Sequence, residues 1–146
     1  MNDLYDADVV LWSERQTELL RRRAGGDLAN DADLDWSNIA EEIEAVGRSA
    51  RRELQSRLVR LLQHLLKWQY QPEFRSASWR TTIRNQRNAI GDLLDESPSL
   101  KTALPEMFPT AYRRARLNAL DETGLLDLPQ TAPFTVERAL DDSFLE

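Results

Sequence analysis

Between Asp35 and Trp68 the chain carries no proline and a single internal glycine, Gly47. Apolar residues at Ile39, Ile43, Val46, Ala50, Leu54, Leu58, Leu61, Leu65 and Trp68 recur every three or four positions. The average spacing is about 3.6, the period of a helix with one buried face. Such a run folds as one amphipathic helix roughly 50 Å long at about 1.5 Å per residue. A helix within a protein gains most of its stability from packing its apolar face, so this one predicts the spine of a helical bundle.

A chain of 146 residues has the size of one domain and can bury roughly 70% of its unfolded surface. One helical-bundle domain over 1–146 is therefore expected. With 41% hydrophobic and 30% charged residues, four Trp and four Phe, the composition supports a packed core and argues against disorder. Cysteine is absent, which excludes disulfides, thiolate metal sites and cysteine nucleophiles. The opening MNDLYDADVV has neither the basic region nor the apolar run of a signal peptide. No stretch approaches the ~20 apolar residues of a transmembrane helix. The expectation is a cytoplasmic protein without membrane contact.

Residues 1–26 read as a first helix, capped by Asp6 or Asp3, with Val9, Trp12, Gln16, Leu19 and Leu20 near one face. Gly25-Gly26 stops it, and Arg21, Arg22 and Arg23 complement its negative end. Residues 27–35 are an acidic linker. The spacing of Asp31, Asp33 and Asp35 resembles the start of a calcium loop, but the sixth position holds Trp36 in place of glycine. At the twelfth position Glu42 falls within the helical pattern, so an EF-hand is rejected. Asp35 serves better as the N-cap of the spine, with Glu41, Glu42 and Glu44 favoured early in a helix by its dipole.

The spine should end at about Gln69, because Pro72 disfavours helix before it. A third helix then starts at Ser76 or Ser78 and stops before Pro98, burying Trp79, Ile83, Gln86, Ile90, Leu93 and Leu94. The short connection makes it an antiparallel neighbour of the spine. Pro105 suits an early position of a fourth helix, while Pro109 would kink a helix interior, so that helix begins near one or the other. Met107, Phe108, Ala111, Tyr112, Ala115 and Ala119 supply its stripe and Thr123-Gly124 its stop. After a connector over 125–135, Thr135 caps a short helix over 136–140, and Phe134, Leu140 and Phe144 dock the tail. The fold class is all-α: an antiparallel, up-and-down bundle of about four main helices, with a long second helix and a short C-terminal one.

The segments YDADVVLW, LDWSNIAEEIEAVGRSARREL, LLQHLLKWQYQPEFRSASWRTTIRNQR and SPSLKTALPEMFPTAYRRA, with ETGL and TAPFT near the end, together resemble the domain of unknown function 29 family. The resemblance covers nearly the whole chain, and its most specific part is Glu41 to Arg48 joined to His64 through Arg84. It implies an all-helical bundle and brings no activity, substrate or catalytic residue to transfer.

Charge is segregated. Residues 48–87 hold ten Lys or Arg against Glu53 and Glu73, a net +8, while the remainder carries −14. This window is the hairpin of the second and third helices, and Trp68, Tyr70, Phe74 and Trp79 are interleaved in it. Arginine with aromatic faces grips phosphate and carboxylate groups or stacks on unpaired bases. Against that stand a sequence pI of about 4.9, which argues against nonspecific duplex binding, and the alternative that pairs such as Glu44 with Arg48 and Glu53 with Arg57 satisfy the charges locally.

His64, the only histidine, falls beside the apolar stripe, facing the third helix around Trp79 to Gln86. There it is either a proton carrier near neutral pH or a hydrogen-bonded boundary residue that neighbouring arginines keep neutral. Glu41 with Glu44 and Asp92 with Asp95 have the three-residue spacing of carboxylate pairs that hold magnesium in all-helical pyrophosphohydrolases. Folding the hairpin at residue 72 or 73 leaves the two pairs about 12 residues out of register, roughly 18 Å apart. One histidine does not supply a ferritin-like di-metal site.

Two functions follow. The leading one is a non-enzymatic interaction module that binds a protein or anionic partner, or another copy of itself, without a cofactor. Its candidate binding residues are His64, Lys67, Trp68, Trp79, Arg80, Arg84 and Arg87. The competing one is a metal-dependent hydrolase of nucleotides or phosphoesters using Glu41 and Glu44.

Overall fold

A computed structural model describes residues 3–27 and 31–145. The first two residues of the expected first helix, the middle of the acidic linker and the last residue of the tail lie outside it, as does the Asp3 side chain. The described chain is all-α, with no strand, as the sequence predicts. It divides into two compact units, Met1–Ser49 and Ala50–Glu146.

The first unit contains α1 (Asp3–Ala7), α2 (Val9–Ala24), a 3-10 turn at Asp31–Asp33, and the beginning of α3 (Trp36–Tyr70). The expected single first helix is two helices, and the cap of the longer one is Asp8, not Asp6; the Asp3 reading falls on a side chain outside the described ones. Asp8 leaves helical geometry at φ −154° and accepts the Leu11 N–H on its carboxylate at 3.0 Å. A short acidic side chain that bonds nearby backbone favours such a break. Gly25 ends α2 as expected, its N–H donating to the Arg21 carbonyl at 2.9 Å. Trp12, Leu34 and Ile39 form the buried core, with Leu4, Tyr5, Leu19 and Leu20 packed around it. The Trp12 indole N–H donates to Asp35 at 3.0 Å, and the Asp35 backbone N–H donates to buried Gln16 at 2.9 Å. Asp35 also accepts from the Asn38 side chain at 2.8 Å, so the expected cap of α3 is tied to α2 as well.

Three apolar residues depart from the sequence pattern. Val9 is 49% exposed, Ile43 69% and Val46 72%. Their helical phase is as read, but a stripe is buried only where another element covers it. In this unit the core reaches α3 at Ile39, and hydrogen bonds from α1 and α2 reach it at Asp35 and at Glu42, which accepts from the Tyr5 hydroxyl at 2.6 Å.

The second unit holds the rest of α3, then α4 (Ala77–Glu96), α5 (Leu100–Thr123) and α6 (Val136–Leu140). Pro72 turns the chain through a 3-10 turn, and Ser76, one of the two expected caps, accepts the Trp79 N–H at 3.2 Å. α3 and α4 are antiparallel, with Lys67 against Trp79 near the turn and Arg57 against Gln86 further along. α5 runs back alongside α3, so that Gln63 and Lys67 both reach Glu122. From Leu61 to Trp68 every residue of α3 is buried or half-buried. A helix covered on so many sides is a core element in the full sense. Ala111, Ala115 and Ala119 give α5 a flat, fully buried ridge.

α5 starts at Leu100, earlier than either proline suggested, and contains both Pro105 and Pro109. Each proline removes one i to i−4 hydrogen bond. Both are exposed along with Lys101, so the freed carbonyls of Lys101 and Pro105 lie where water can take them, while Leu100, Leu104, Ala111 and Tyr112 hold the opposite face. Gly124 closes the helix at φ 72°, a left-handed cap that glycine adopts without strain. The connector is pinned by Tyr112, whose hydroxyl donates to the Pro129 carbonyl, and by Arg116, which donates to the Leu128 carbonyl at 3.0 Å. Thr135 caps α6 as expected, and Phe134, Leu140 and Phe144 join the core.

Candidate anion-binding pocket

Capping at Ser76 fixes the phase of α4 and puts Arg80, Arg84 and Arg87 at i, i+4 and i+7 on one face. That face is one wall of a pocket of about 540 Å³, within the range of ligand sites. Trp68 of α3 and Ile83 line it too, and the C-terminal tail supplies the opposite wall through Asp142, Phe144 and Leu145.

The tail is held there by Arg87, which is only 8% exposed. Its guanidinium donates to the main-chain carbonyls of Ala139 at 2.9 Å, Phe144 at 3.1 Å and Asp142 at 3.5 Å. Asp141 shapes the same segment, its carboxylate accepting from the Ser143 N–H and hydroxyl. Those hydrogen bonds, with the charges of Arg87 and Arg138, hold its pKa below the usual carboxylate value. Phe144 meets Phe134 edge-on at 5.6 Å and carries Arg138 over its ring at 4.8 Å.

Arg80 and Arg84 differ from Arg87. Both are exposed. Arg80 stacks over the Trp68 ring at 5.6 Å, alongside Arg75 at 5.0 Å. Among the described residues neither Arg80 nor Arg84 has a carboxylate partner, so their donor forks remain available on the open side of the pocket.

Of the seven candidates, the pocket brings together Trp68, Arg80, Arg84 and Arg87. Lys67 and Trp79 are absent from its lining and bind each other. Lys67 is 4% exposed, lies 4.5 Å from the Trp79 ring and pairs with Glu122 at 2.7 Å. This hydrogen bond is the main reason the Glu122 carboxyl is held below its usual pKa.

His64 is also outside the lining. Its Nδ1 donates to the Arg60 carbonyl at 2.9 Å, an assignment that follows because a carbonyl only accepts. Burial lowers the His64 pKa, and the charges of Lys67 and Arg60 add to the effect. The Arg60 hydrogen bond and the Glu122 charge oppose it. The folded state therefore takes up this proton less readily than the unfolded chain. Stability is fully present above the unfolded value of about 6.5 and falls as pH drops through it toward the lower folded value. In urea titrations between about pH 8 and pH 5, His64→Gln should flatten that fall. An unchanged slope would show that burial of the imidazole carries no linkage.

The metal reading finds little geometry. Arg48 bridges Glu41 at 2.8 Å and Glu44 at 3.5 Å, so one cation already lies between the two carboxylates. Among the described residues no group of three or more His, Asp or Glu side chains is placed to hold a metal ion. The expected pair Glu53 with Arg57 is present at 3.1 Å.

The sequence pattern missed Asp142, Leu145 and Asn88 in the lining and Glu122 as the partner of Lys67. Arg87 carried a usable signal: it lies four residues after Ile83 and three before Ile90, in the apolar stripe itself. The tail residues and Glu122 carried none, since they meet α3 and α4 from more than fifty positions away.

A family model described as domain of unknown function DUF29 matches residues 4–145. Neither the curated proteins nor the solved structures hold a match.

Proposed function

We propose a binding role for this chain, which belongs to the DUF29 family: a helical module whose pocket beside α4 takes an anionic group of a partner through Arg80 and Arg84. The observation that carries this reading is a cavity of about 540 Å³ opening onto two exposed guanidinium groups without a carboxylate partner among the described residues. Guanidinium forks match the two oxygens of a carboxylate or phosphate. The apolar surfaces of Ile83, Phe144 and Leu145 displace water around the site and strengthen that attraction. Trp68, Arg87 and Asp142 shape the cavity, while Lys67, Trp79 and His64 act within the fold next to it. Among the described residues the lining offers one carboxylate and no histidine, serine or threonine, a set suited to recognition more than to acid–base or nucleophilic chemistry.

The test is thermal unfolding with citrate or pyrophosphate, with ionic strength matched by chloride. A ligand that binds only the folded state at about 100 times its Kd stabilises by about 2.7 kcal/mol. The native chain should show an anion-specific rise in Tm that the Arg80→Glu, Arg84→Glu double variant loses. Equal responses of the two proteins would overturn the reading.

A further inference from the structure

We infer that the partner's anionic group belongs to an acidic peptide segment that lies along α4 beside the chain's own C-terminal tail. This rests on the anion-binding reading of the pocket and adds what the anion is part of. Arg87 carries it. That arginine spends its guanidinium on three main-chain carbonyls of a peptide segment, those of Ala139, Asp142 and Phe144. Arg84 and Arg80 repeat the same group three and seven residues earlier on the same helix face. They face the open part of the pocket. One rung of an arginine ladder is thus filled by peptide, and two rungs are open.

The filled rung also indicates the composition that suits this wall. The segment Arg87 holds runs Asp141, Asp142, Ser143, Phe144, Leu145, acidic residues followed by apolar ones. A second segment entering the cavity meets guanidinium groups and Ile83 on the α4 side and the surfaces of Trp68 and Phe144 elsewhere. A carboxylate seats on Arg84 and Arg80, and an adjoining apolar or aromatic side chain covers the apolar lining. Asp142 limits the charge. Among the described lining residues, three arginines stand against one aspartate, a net +2, a match for one or two carboxylates. A phosphodiester strand would bring its repeating charge against Asp142, where single-strand binders present an unbroken basic groove.

The experiment is fluorescence anisotropy on the full chain with a labelled, end-blocked peptide having the sequence of residues 141–145. Binding should weaken by a factor on the order of ten or more when both aspartates of the peptide are asparagine, and equally for Arg84→Gln in the protein. Arg84 is exposed, so this variant keeps its fold. Equal affinity for the acidic and amide peptides overturns the inference. So does displacement of the label by a single-stranded oligonucleotide at lower concentration than by unlabelled peptide. Stabilisation by pyrophosphate or citrate without peptide binding removes the peptide and leaves the anion pocket, whereas indifference of every probe to Arg80→Glu and Arg84→Glu removes both.

Discussion

Leu61→Ala should destabilise the second unit by about 2–5 kcal/mol, while Ile43→Ala should change the first by about 0.5 kcal/mol or less. The two residues share one apolar pattern on one helix, and sequence alone assigns them the same fate. Leu61 is 0% exposed within a continuous cluster that includes Leu58, Leu62 and Leu65. Its truncation loses the transfer free energy of the removed carbons and opens a cavity that close-packed neighbours fill only in part. Ile43 is already 69% in water, so alanine there removes little buried surface and improves helix propensity. Denaturant midpoints at constant m-value, read on the transition of the unit that holds each residue, measure both. Comparable losses at the two positions would mean that the Ile43 face is covered in solution.

This contrast marks what is legible in a chain of this kind. Most helix ends were legible because they are written locally, although the break at Asp8 and the start at Leu100 were not read. Asp35 accepts the Asn38 backbone N–H and Thr135 that of Arg138, as expected, Ser76 was one of two expected caps, and Gly25 and Gly124 stop helices where a carbonyl needs a partner or the backbone turns left-handed. The phase of each stripe was local too. Which part of a stripe is covered depends on elements far along the chain, and so Ile43 and Val46 stay in water while Lys67 does not. The prolines of α5 misled for a related reason. Their cost is local, but the buried ridge of Ala111, Ala115 and Ala119 that holds the helix in place is tertiary.

The pocket was half legible. Clustered basic and aromatic residues pointed to the α3–α4 hairpin, and four of the seven candidates do line one cavity. Their division of labour was hidden. A charge count treats all seven alike, whereas carboxylates and carbonyls from distant segments engage Lys67 and Arg87 and leave Arg80 and Arg84 open. Where a net +8 window meets its own acidic chain, the informative quantity is the charge left over after those pairings.

Arg87→Met should release the C-terminal tail and destabilise the second unit by about 2–3 kcal/mol. Methionine fills similar length and avoids the cost of burying a cation, which offsets part of the loss. It supplies no donor, however, and the Ala139 carbonyl, in a residue 0% exposed, is left without this partner at a cost of about 1–3 kcal/mol. The Asp142 and Phe144 carbonyls lie closer to solvent and can turn to water, so their release appears mainly as freedom of the tail. Phe144 then loses its hold against Phe134, and chymotrypsin should cleave after Phe144 markedly faster than in the native chain at temperatures where both remain folded. Arg87→Lys separates charge from geometry: an ammonium keeps the charge and three donors but lacks the rigid fork that spans three carbonyls. It should fall between the two in protection of the tail. A methionine variant whose tail is as resistant as the native one would show that the aromatic contact of Phe144 with Phe134 holds the segment without Arg87. The pocket wall would then be independent of the residue that the charge pattern first brought to notice.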